Sequence, residues 1–92
     1  MAKDKETTTT DIEAYVASNG GSYAKWYVGI AADARDRLFS DHAVKENGDA
    51  WIYRQCTSSS VARAVEKYFL DKGMKGGGGG GDYNTDYAYA YK

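Results

Sequence analysis

Ninety-two residues limit the chain to one small domain with a modest core. With 42% hydrophobic and 27% charged residues, it reads as a folded domain rather than a disordered one. A formal net charge of −1 offers nucleic acid no global attraction, and a single cysteine, Cys56, excludes an internal disulfide and a multi-cysteine metal site. No apolar run approaches membrane-spanning length. The opening "MAKDKETTTT" lacks the apolar core of a signal peptide, so the expected compartment is the reducing cytoplasm.

Residues 1–9 are charged and threonine-rich and read as a frayed, disordered tail, with a single domain over 10–92. A short helix is expected from Thr10 or Asp11, where Ile12, Tyr15 and Val16 fall at i, i+3 and i+4 and "NGG" at 19–21 supplies a stop. In "YAKWYVGI", Trp26, Val28 and Ile30 point one way while Lys25, Tyr27 and Gly29 point the other, the period of a strand. Asp33 suits the N-cap of a helix over about 34–44. "KENGD" at 45–49 is a turn, and the aromatic, β-branched "AWIYRQC" at 50–56 fits a second strand. After the capping serines of "TSSS", Val61, Ala64, Val65, Tyr68 and Phe69 recur at i, i+3, i+4, i+7 and i+8, an amphipathic helix closed by Gly73. The glycines at 76–81 form a low-complexity connector. The last segment alternates Tyr87, Tyr89 and Tyr91 with Ala88 and Ala90, a strand with one aromatic and one small-residue face. The expected fold is therefore α/β of the α+β type, a small three-stranded sheet with about three packed helices, its strand order and direction left open.

The corner "YVGIAADARDRLFSDH" resembles the second half of the signature of the GIY-YIG endonuclease family. The tripeptide Tyr27-Val28-Gly29 matches the family's "YIG" or "YVG" strand end. Arg37 stands at the spacing of the family arginine, His42 follows, and "ARAVEKYFL" places Glu66 where the family glutamate falls. Asn84 corresponds to a late asparagine. The resemblance covers roughly residues 25–72. It implies a GIY-YIG-like fold and metal-dependent hydrolysis of nucleic-acid phosphodiesters. Tyr27 would then be the base or its helper, Arg37 the phosphate clamp, His42 an auxiliary acid/base and Glu66 the ligand of a Mg2+ ion. An arginine suits a phosphate because its planar fork stays charged and can bind two oxygens at once. Lys25, Arg35 and Tyr89 stand as candidate nucleic-acid contacts.

Three features depart from the family pattern, one being that a single carboxylate, Glu66, is obvious as a metal ligand. Where a preceding "GIY" strand is expected, the chain reads "EAYVASNGG", a helix end. The tyrosine-rich last strand can lie beside "WYVGI" and present Tyr87, Tyr89 or Tyr91 in its place. On an ideal α-helix, Arg37 and His42 point roughly 140° apart, and Arg35 shares the face of His42 better. Structural roles compete with the catalytic ones: Arg37 can pair with Asp33 or Asp41 for a few tenths of a kcal/mol, and His42 suits a helix C-terminus. The alternative function is a non-catalytic module of the same fold that binds protein or nucleic acid, with a homodimer as one form of it. Convergence of Tyr27, Arg37 and Glu66 on one surface separates the two readings.

Overall fold

A computed structural model describes residues 2–76 and 85–92. The chain folds as an α+β domain whose three strands, β1 Tyr27–Ala31, β2 Trp51–Gln55 and β3 Tyr87–Tyr91, form an antiparallel sheet in the order β1-β3-β2. The last strand is therefore the central one. Alternation along it sends Ala88 and Ala90 to one face and its tyrosines to the other.

Two helices, α1 Lys5–Ser18 and α3 Ser59–Asp71, cover the small-residue face. There Ile12, Val16, Val28, Ile30, Ile52, Ala62, Val65, Phe69, Ala88 and Ala90 form the main core. The alanines of β3, fully buried, leave room for the bulkier Val65 and Phe69 above them. Ser58 caps α3 by accepting from the Val61 N–H at 3.2 Å, in keeping with the serine run.

Helix α1 starts earlier than the sequence suggests. The tail expected over 1–9 is replaced by a helix from Lys5, because the Asp4 side chain accepts from Thr7 N–H at 2.8 Å and Thr8 and Thr9 are buried. Lys3 also bonds to the outer edge of β2, donating to the Gln55 carbonyl at 2.8 Å and accepting from Thr57 N–H at 3.0 Å. A run of threonines with no apolar pattern of its own thus places two of them against the sheet.

The aromatic face is covered by a short segment following β1. A single α-helical turn, α2 Ala34–Asp36, begins at Asp33, whose side chain accepts from Asp36 N–H at 3.1 Å. It widens at once into a π-helical turn over Arg37–Asp41 instead of continuing as the expected helix to 44. Leu38 and Val44 from this segment join Ala31, Ala34 and Tyr89 in a second, smaller core. The expected strand over "YAKWYVGI" is also shorter at its start, since Tyr23–Lys25 make a 3-10 turn and β1 begins at Tyr27. Most of the glycine connector, and Asn84 with it, lie outside the described residues. Among the described residues no helix is long and apolar enough to cross a membrane.

Candidate functional site

The antiparallel register sets Tyr27 opposite Tyr91 and Gly29 opposite Tyr89. Tyr27 and Tyr91 stack with ring centroids 5.2 Å apart at 25°. Gly29 has a different task. A β-carbon there would overlap the hydroxyl end of the Tyr89 ring, so only glycine lets that ring lie across β1. The last strand thus does lie beside "WYVGI", and it brings two tyrosines to the tyrosine of the tripeptide.

The π turn brings His42 into the same group. Its backbone N–H donates to the Arg37 carbonyl at 2.9 Å, a bond between residues five apart. The wider turn returns residue i+5 over residue i, whereas an α-helix would splay the two. Arg37, rather than Arg35, is consequently the arginine beside His42, and the helix-based expectation for Arg35 is corrected. The turn closes through Ala43, whose φ of 55° puts an alanine in the left-handed region. The buried side chains of Leu38 and Val44, and a Val44 N–H bond to the Leu38 carbonyl at 2.9 Å, hold it there.

Both ring nitrogens of His42 meet tyrosine hydroxyls: Nε2 lies 2.9 Å from Tyr89 Oη and Nδ1 3.0 Å from Tyr91 Oη. The Tyr27 ring packs against the imidazole at 4.8 Å. Burial holds the His42 pKa below its ordinary value, with Asp41 opposing and Arg37 assisting, so the ring is neutral at pH 7. Burial first, then the neighbouring Tyr27, pushes the Tyr89 hydroxyl up to about 12, and the same two causes raise Tyr91. Both hydroxyls therefore keep their protons. A neutral imidazole carries a single N–H, so one hydroxyl donates to His42 and the other accepts from it. In either arrangement the unprotonated ring nitrogen can take the proton of the tyrosine hydroxyl that donates to it. The more accessible of the two tyrosines is Tyr91, half-buried where Tyr89 is 2% exposed.

Arg37 lies on the solvent side of this group. Its guanidinium bears on the Tyr89 hydroxyl, restraining the rise that burial causes, and its Nε pairs with Asp41 at 3.1 Å. That ion pair is half-exposed and contributes little to stability, as the sequence spacing anticipated. Arg35 turns away. It binds both oxygens of Glu46 at 3.0 and 3.1 Å, lies over the Phe39 ring and bonds Tyr53. Lys25 is exposed in the 3-10 turn ahead of Tyr27.

Glu66 does not join them. Helix α3 presents Ala62, Val65 and Phe69 to the small-residue face, so it carries Glu66 on the side of the sheet opposite the tyrosines and His42. Desolvation raises its pKa and Arg63 lowers it. One carboxylate, completed by waters and substrate phosphates, is an ordinary magnesium shell, so the chemistry of Glu66 is compatible with the ion. Its location is not compatible with an ion shared with Tyr27 and Arg37. Among the described residues no three His, Cys, Asp or Glu side chains gather to hold a metal. Cys56 is buried beside Thr8, with sulfur and hydroxyl 3.8 Å apart, a packing role.

Sequence reasoning named Tyr27, Arg37, His42 and Tyr89, which the structure unites. It offered Tyr91 only as one of three alternatives, and the register alone singles it out. Compared with known protein families, with curated proteins and with solved structures, the chain gives no match.

Proposed function

We propose that the domain binds a nucleic-acid phosphodiester at the Tyr27, Arg37, His42, Tyr89 and Tyr91 group and hydrolyses it, in the manner of a rearranged GIY-YIG site. The observation that carries this reading is the convergence of Tyr27, Arg37 and His42 with the tyrosines of a distant strand; Glu66 is not among them, so the reading departs from the metal-dependent site that the resemblance implies. Arg37 is the anion clamp. His42 is the group of the cluster whose ordinary pKa lies nearest neutrality, and burial keeps its ring neutral and able to accept a proton, so it replaces Tyr27 as the proton acceptor. An attacking water would give its proton to Tyr91 Oη as the Tyr91 proton passes to His42 Nδ1, leaving the ring an imidazolium whose Nε2–H stays donated to Tyr89 Oη. Tyr27 holds the imidazole by ring contact. On this reading the work is done in the cytoplasm, where Cys56 remains a thiol.

A second reading is favoured by the position of Glu66: a module of the same layout that binds nucleic acid or protein without cleaving. A cleavage assay on mixed DNA and RNA, with and without magnesium, separates the two. For the hydrolase, Arg37→Ala and His42→Ala each lower the rate by about a hundredfold or more, while Glu66→Ala has little effect. Equal background from wild type and both variants would end the hydrolytic reading. Retained binding without cleavage would establish the second.

A further inference from the structure

Two cavities flank Tyr53. One, of about 250 Å3, lies on the aromatic face and is lined by Ala32, Asp33, Ala34, Arg35, Tyr53 and Tyr87. The other, of about 400 Å3, lies along the outer edge of β2 against Tyr15, Trp51, Ile52, Tyr53 and Arg54. At roughly 30 Å3 per water, the smaller holds about eight heavy atoms, the size of a pyrimidine base. Each cavity combines an aromatic wall with one arginine. Trp51 and Tyr53 stand nearly parallel at 12°, ring centroids 5.9 Å apart, and Tyr87 meets Tyr53 at 6.0 Å.

We infer that the two cavities, divided by the Tyr53 ring, receive two successive bases of an unpaired nucleic-acid strand. Aromatic rings that offer flat faces beside guanidinium groups are how sequence-tolerant single-strand sites are built. Tyr87, in the wall of the smaller cavity, occupies the same face of β3 as Tyr89 and Tyr91. A base in a duplex is stacked on both sides and cannot enter either cavity, so the track selects unpaired segments. The arginines are already oriented, Arg35 by Glu46 and Arg54 by Asp11 at 3.0 Å. A proline-rich peptide would also fit an aromatic groove, but it has no use for a guanidinium in each cavity.

An unpaired strand as substrate deepens the hydrolase reading and rests on it for the chemistry, yet binding of that strand is tested independently of cleavage. Fluorescence anisotropy of labelled oligothymidine against the same sequence in a duplex, and against a proline-rich peptide, is the experiment. The single strand is expected to bind at least tenfold tighter than the duplex. Tyr53→Ala should weaken single-strand binding about tenfold, whereas Tyr53→Phe, keeping the ring, should not. Lys67→Ala, at an exposed position of α3 on the other side of the sheet, should leave this affinity unchanged. Circular dichroism of each variant checks the fold. Equal affinity for single strand and duplex, indifference to Tyr53→Ala, or Tyr53-dependent binding of the peptide alone would overturn the inference. If Tyr53-dependent single-strand binding is found with no cleavage, the inference stands and the hydrolase reading fails.

Discussion

At Gly29 the added methyl group of an alanine would overlap the Tyr89 ring, which is 2% exposed and has no open space to enter. Gly29→Ala should therefore destabilise the domain by about 1–3 kcal/mol, as overpacking does, and pull Tyr89 off His42. A thermal melt reads the first effect and the imidazole proton resonances the second. His42 carries its own signature in pH. Its folded pKa lies below the unfolded value of 6.5, so the unfolded chain takes up the proton first as pH falls. Full stability is present above that value and is lost as pH drops through the folded pKa. Urea unfolding of wild type and His42→Gln between pH 8 and 5 should show the extra decline in wild type alone. Glu66 has the opposite sign. Burial raises its pKa, so the charged form costs stability at neutral pH and protonation relieves that cost. Glu66→Gln should raise the melting temperature at pH 7 and lose its advantage as the solution is acidified. A lower melting temperature at pH 7 would mean that Glu66 has a partner holding its charge.

Among the elements, α3 forms where its periodicity says and is capped by Ser58, but its buried line is Ala62, Val65 and Phe69, with Val61 and Tyr68 partly buried beside it. Ser58→Ala should cost about 1 kcal/mol in chemical denaturation, with the hydroxyl's bond to Val61 N–H lost. The strands were equally legible, because a period of two is written in neighbouring residues such as Tyr87, Ala88 and Tyr89. Helix α1 and the segment after Asp33 were less so. The burial of Thr8 and Thr9 depends on the sheet beneath them, which no local pattern contains. The π turn over Arg37–Asp41 depends on Leu38 and Val44 being held by a second core at fixed positions, and it sets Arg37 beside His42, where an ideal α-helix would have set Arg35.

Across the whole molecule, the main core is small for the work it does. Phe69 is fully buried in it, and Phe69→Ala should remove about 3–5 kcal/mol, a large share of the roughly 5–15 kcal/mol available to a domain of this class. Denaturation followed by the fluorescence of the buried Trp26 should show a much lower midpoint or no cooperative transition. The amino-acid order alone was enough to mark most of the helical and extended segments and their apolar faces, because those properties repeat at 3.6 or 2 residues and are set by neighbours in the chain. The family resemblance also grouped Tyr27, Arg37 and His42, together with Glu66. Folding in three dimensions settled the rest: the last strand is central, Tyr89 and Tyr91 rather than Tyr87 meet His42, and Glu66 stands across the sheet from them. Strand order and the side on which a helix packs come from contacts between residues far apart in the chain, and local periodicity carries no record of such contacts.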